Sequence, residues 1–157
     1  MTETGRPYQA GYTLSGVDAG RAFAALLDGG SFSEWAVGLG GVRARDAHGR
    51  ETSEMVPGTT LEFDLEAAGF THTVVSEITA VQPPRLLEWR YLRGATGTGG
   101  WYVEGAGPNA VEIKLATDYG VRPEWLNRLA HRPFFRRLTE DLLRRSIRRF
   151  ERRLKYA

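Results

Sequence analysis

Residues 133–156 read PFFRRLTEDLLRRSIRRFERRLKY, and in this stretch Phe134, Leu138, Leu142, Leu143, Ile147, Phe150 and Leu154 recur at steps of three and four. That spacing is the helical period, so the segment is one long helix with an apolar stripe to bury. Almost everything before it alternates apolar and polar residues in the manner of strands, with clear turns between. A block of strands followed by one long helix predicts an α+β layer arrangement, an antiparallel sheet with the helix on one face, rather than alternating βαβ units. A curved sheet gripping one helix tends to leave space between the two, and that space suits an apolar small molecule.

A length of 157 residues fits a single domain spanning 1–157, large enough to bury a core and still hold a pocket. With 41% hydrophobic and 25% charged residues, and no apolar run near the roughly 20 residues a bilayer requires, a soluble chain is expected. Residues 1–7 are short and polar without an apolar stretch, so a secretory signal is not expected and cytoplasmic location is the default. The absence of cysteine removes disulfides, thiolate nucleophiles and thiolate zinc sites.

Charge is unevenly placed. Residues 133–156 carry nine cations (Arg136, Arg137, Arg144, Arg145, Arg148, Arg149, Arg152, Arg153 and Lys155) against Glu140, Asp141 and Glu151, a balance of +6 in a chain whose net charge is +2. Pairs at i,i+4, Glu140 with Arg144 and Asp141 with Arg145, support a solvated helix surface. A transient contact with an anionic membrane or protein is the second use of such a face. Nucleic acid is disfavoured, because no aromatic residues interleave with the arginines on the exposed face of the helix.

Along the chain, residues 8–14 read as a first strand. Ser15 or Asp18 then caps a short helix carrying Phe23, Leu26 and Leu27. Phe32, Trp35 and Leu39 suggest a second short helical turn. Strands follow at 42–47, 59–67, 72–81, 86–93, 101–104 and 111–119. Gln82-Pro83-Pro84-Arg85 forces a turn, and the glycine-rich 94–100 and 105–109 read as flexible hairpin connections. Gly120 is expected to end the sheet, and residues 124–130 to form a short helix after Pro123.

Because strand side chains alternate faces, the apolar set of each strand marks its inner face, and any polar residue within that set stands out. The inner residues are Phe63 in one strand; His72, Val74, Ser76 and Ile78 in the next; and Leu87, Trp89 and Tyr91 in the one after. The last two strands contribute Trp101 and Val103, then Val111, Ile113, Leu115, Thr117 and Tyr119. With Trp35 on one side and Leu138 and Leu142 on the helix, this is the composition of an apolar ligand site with a few orienting polar groups. Filling of a core by the same aromatics is the plainer alternative. For acid/base work the candidates are His72, Tyr91 and Tyr119.

Other chemistries lack their residues. His48, His72 and His131 are far apart and show no zinc spacing, so neither a metal nor a cofactor is expected. The 94–100 glycine run leads into a strand rather than a helix N-terminus, unlike a phosphate-cradling loop. Glu62, Asp64 and Glu66 fall on the outer face.

The helix at 17–28, Trp35, the phrase Pro57-Gly58-Thr59, the stretch Ser76-Glu77-Ile78-Thr79-Ala80-Val81-Gln82-Pro83-Pro84-Arg85-Leu86-Leu87-Glu88-Trp89-Arg90 and the terminal helix together resemble the START-like superfamily of helix-grip proteins. Within it the chain is most similar to the polyketide cyclase/dehydrase and lipid-transport group. The resemblance implies a helix-grip fold: a curved antiparallel sheet wrapped around a long C-terminal helix, two short helices after the first strand, and a deep cavity between sheet and helix. It implies a bound lipid, isoprenoid or polyketide-like molecule, or a cyclase or dehydratase that shapes a reactive chain in that cavity. Cyclases of this group steer their chains with polar pocket residues, arginine among them. Here Arg90 and Arg93 are expected to face outward or to sit at a strand end.

Overall fold

The computed structural model describes residues 6–28, 34, 36, 39–67, 69–121, 125, 128 and 133–156. Its elements in chain order are β1 (Arg6–Ser15), α1 (Ala19–Leu27), β2 (Leu39–Arg45), β3 (Thr60–Ala67), β4 (Phe70–Gln82), β5 (Leu86–Arg93), β6 (Ala95–Gly105), β7 (Ala110–Val121) and α2 (Pro133–Tyr156). The strands form one antiparallel sheet in the order β1-β7-β6-β5-β4-β3-β2. Strands β2 to β7 are a run of sequential neighbours, and β1 closes the other side by pairing with β7. The α+β helix-grip arrangement expected from the sequence is the one observed.

Asp18 caps α1 by accepting from the Arg21 backbone N–H at 2.9 Å, which satisfies one of the helix's orphan donors. Arg21 in turn donates from its guanidinium to the Leu154 carbonyl at 2.5 Å, closing an otherwise unpaired acceptor in the last turn of α2. Ala22, Phe23 and Leu26 of α1 are buried. They join Val17 from the turn before α1, Leu14, Val103, Val111 and Ile113 from the sheet, and Ile147, Phe150 and Leu154 from α2 in one core. Phe150 and Ile113 are fully inaccessible. At about 25 cal/mol per Å² of apolar surface, side chains of this size contribute roughly 1.5–3 kcal/mol each by burial.

Four expectations are corrected. Residues 94–100 are not a flexible connection, for β6 begins at Ala95 and residues 95–97 pair with 119–121 of β7. Glycine is there because neighbours crowd it. A β-carbon on Gly99 would stand 2.7 Å from the Trp89 indole, one on Gly100 2.7 Å from the Tyr102 hydroxyl, and one on Gly94 2.2 Å from the Thr73 carbonyl oxygen. Gly120 does not end the sheet, since it pairs with Thr96 and β7 runs to Val121. Leu39 opens β2 instead of closing a helical turn. The strand starts early because Gly40 and Gly41 leave room for the Glu66 and Asp64 carboxylates above them. Finally, Glu140 and Arg144 do not pair, whereas Asp141 and Arg145 do, at 3.8 Å. The second short helix near Trp35 and most of 124–130 lie outside the described residues.

Candidate functional site

Register places the inner-face residues in rows across the sheet. Leu61, Ser76 and Tyr91 are successive partners across β3, β4 and β5. Ile78, Trp89, Gly99, Thr117 and Tyr8 are partners from β4 through to β1, and Trp101, Leu115 and Ala10 follow one row further along. The alternation read from the sequence therefore holds, with Val74 and Ser76 at 2% exposure on β4 while Arg90 points outward to Glu77.

The inner face has two unlike ends. At the end near α1, sheet and helix side chains fill the space as the core described above. Towards the other end, where β3 turns into β4 and β5 into β6, His72 and Tyr91 are only half-buried and stand outside that core, as do Leu115 and Thr117 in the middle rows of β7, while Val74 and Ser76 between them stay buried. Leu138 and Leu142, from the first half of α2, are likewise half-buried and outside the core. Phe63, Trp89 and Trp101 pack against the edge of the core and mark the boundary, and Ile113 lies wholly within it.

Polar groups in this half are few and mostly committed. The Thr117 hydroxyl donates to the Thr98 carbonyl at 3.1 Å. Its one proton is spent there, so the Tyr91 hydroxyl, 3.2 Å away, is the donor of their shared bond and keeps its own lone pairs open. Tyr91 reaches Thr117 across β6, where Gly97 and Gly99 present no side chain between them. His72 bonds through Nε2 to the Gly94 carbonyl at 2.7 Å. A carbonyl only accepts, so Nε2 carries the hydrogen, and in the neutral ring Nδ1 is the free acceptor.

Ser76 differs from all of these. Its side chain is 2% exposed and makes no hydrogen bond with any described residue. Buried hydroxyls are nearly always paired, because an unsatisfied one costs about 1–3 kcal/mol. It sits at the centre of the inner face, opposite Tyr91.

Two of the three acid/base candidates, His72 and Tyr91, bond to different partners. His72 lies four residues along β4 from the Ser76–Tyr91 pair, about 13 Å at the strand rise. No hydrogen bond joins it to Tyr91 among the described residues. Tyr119 pairs with Arg6 and Gly97 through its backbone, but its side chain, like all of Trp35, lies outside the described residues. Among the described residues no cluster of three metal-ligating side chains occurs.

Sequence reading left out Tyr8 and Tyr12, which alternate onto the inner face of β1 with Ala10 and Leu14. Burial pushes the Tyr12 hydroxyl above the usual tyrosine range; Arg144 on α2 opposes this and Glu140 adds to it.

The sequence profile of the family described as polyketide cyclase/dehydrase and lipid transport matches residues 14–155. No curated protein matches the chain in sequence. Among solved structures, a START superfamily protein from Mycobacterium smegmatis superposes with a TM-score of 0.70 at 14% identity, covering 96% of this chain and 98% of its own. A protein from Thermus thermophilus superposes at 0.75 with 12% identity, covering 95% and 97%. An aromatase/cyclase from a Streptomyces species does so at 0.66 with 14% identity, covering 96% and 93%. At these identities the likeness is one of fold.

Proposed function

The chain belongs to the polyketide cyclase/dehydrase and lipid transport family, and from that premise we propose that it binds a hydrophobic small molecule between the inner face of the sheet and the first half of α2. The observation that carries this reading is Ser76, a buried hydroxyl without a partner among the described residues, in the middle of an otherwise apolar surface. A ligand group that pairs with it removes the cost of leaving it unsatisfied. Around it stand Trp89, Trp101, Val74 and Phe63 for apolar contact, with the open lone pairs of Tyr91 at one side. The ligand is thus mostly apolar, carrying one or two donor groups such as hydroxyls or phenols, in the lipid, isoprenoid or polyketide class.

A cyclase or dehydratase acting in the same place is the second reading, favoured by the bare Nδ1 of His72, which is able to take a proton. Holding a reactive chain in near-attack geometry would supply several kcal/mol without further machinery.

Native mass spectrometry of freshly purified protein, with extraction and identification of any bound molecule, tests the first reading. A one-to-one apolar ligand, lost or weakened in Ser76→Ala, supports it. Protein that stays empty against a broad panel of lipids and aromatics counts against it. The enzyme reading fails if His72→Ala and Tyr91→Phe leave product distribution and rate unchanged with a polyketide-like substrate.

A further inference from the structure

We infer that the solvent face of α2 docks the protein on an anionic phospholipid surface. At about 100° per residue, Arg137, Arg144, Arg145, Arg148, Arg152 and Lys155 fall within an arc of about 100°, and from Arg137 to Lys155 the row is about 27 Å long. All six side chains are exposed. Arg145 pairs with Asp141 and Lys155 with Glu151. Arg153, on the flank, pairs with Glu34. Among the described residues Arg137, Arg144, Arg148 and Arg152 make no ion pair, so a straight ridge of four unneutralised guanidinium groups faces water.

Shape and composition select the partner. The exposed positions between the arginines hold no aromatic side chain, so the ridge lacks the stacking platform that single-stranded nucleic acids use. A straight, convex row suits a plane of phosphates, each basic group near such a surface being worth about a fivefold gain in affinity. Among the described residues no helix is long and apolar enough to cross a bilayer, so the contact is peripheral. The ridge is separate from the inner-face site, and the inference stands whether or not that site is filled.

The test is co-sedimentation with phosphatidylcholine vesicles, with and without about a third of phosphatidylglycerol, at about 0.05 M and about 0.5 M salt. Binding is expected to the anionic vesicles alone and to vanish at the higher salt. The triple variant R144Q/R148Q/R152Q should bind roughly 100-fold more weakly, R144K/R148K/R152K should bind as the parent does, and R43Q/R93Q, which removes cations elsewhere, should leave binding intact. Circular dichroism checks that each variant is folded. Equal binding to neutral vesicles, no binding at low salt, or a triple glutamine variant that binds like the parent would overturn the inference. So would salt-sensitive capture by immobilised polyglutamate from a protein that ignores every vesicle, since that result assigns the ridge to an acidic protein.

Discussion

Trp89 rests on Gly99, its indole so close that a β-carbon on the glycine would stand 2.7 Å from three ring atoms. The two residues are cross-strand partners on β5 and β6, and the missing side chain lets the indole lie down on the sheet. Gly99→Ala therefore has to lift the ring, an overpacking change expected to cost about 1–3 kcal/mol and to shift tryptophan emission. Gly105→Ala, on the same strand with nothing within 4 Å of the new carbon, should stay within about 0.5 kcal/mol of the parent. Urea denaturation followed by fluorescence measures both. Equal costs would mean that the indole does not depend on the glycine.

Ser76→Ala removes a buried hydroxyl that has no described partner. The ligand-free protein is expected to gain stability, by up to about 1–2 kcal/mol, where losing a paired hydroxyl would lower it. Thermal melts of extracted and ligand-loaded samples separate the cases. A destabilised ligand-free variant would show that the hydroxyl has a structural partner.

The two ends of the inner face should respond differently to truncation of α2. Phe150→Ala empties a fully buried site and is expected to cost about 3–5 kcal/mol. Leu142→Ala acts on a half-buried side chain outside the core, with an expected cost below about 2 kcal/mol and its main effect on ligand affinity. Chemical denaturation and a ligand titration on both variants check this. Comparable stability losses would remove the division between a filled and an open end.

On the outer face the Tyr102 hydroxyl donates to Glu88 Oε2 at 2.7 Å. Burial first, then that hydrogen bond and the carboxylate's charge, push its pKa up to about 12. The folded protein therefore holds this proton at a pH where the unfolded chain, titrating near 10, has released it. The associated stability is complete below about pH 10 and is lost as pH rises towards 12. Ultraviolet titration of tyrosinate should show Tyr102 among the last to ionise, with Glu88→Gln moving its midpoint down. An unmoved midpoint would assign the shift to burial alone.

Much of this was legible from side-chain periodicity. The stripe of α2 and the alternation in β3, β4, β5 and β7 depend on each residue's own polarity, and they correctly placed Val74, Ser76, Trp89 and Thr117 on the inner face. A cap at Ser15 or Asp18 was legible for the same local reason, and the structure uses Asp18. The start of β6 was not, because Gly94, Gly99 and Gly100 are demanded by Thr73, Trp89 and Tyr102, two of them on other strands. Glycine alone does not distinguish a flexible turn from a crowded strand. The partners of His72 and Thr117 were equally hidden, since the carbonyls of Gly94 and Thr98 belong to the backbone and no residue type announces them. Tyr8 and Tyr12 could have been placed by the same alternation, had it been followed through β1.

The bond from Arg21 to the Leu154 carbonyl joins groups 133 residues apart, and among the described residues β1 likewise has its one strand neighbour in β7. The hairpins from β2 to β7 can assemble in order as the chain leaves the ribosome, each finding its partner just behind it. β1 and α1 must wait until β7 and α2 have been made, their apolar residues exposed. A nascent chain stopped short of residue 110 has no strand for β1, and one stopped short of 154 has no carbonyl for Arg21. Completion of the fold thus waits on β7 and α2, which makes products stalled or clipped before these elements the forms most prone to aggregate.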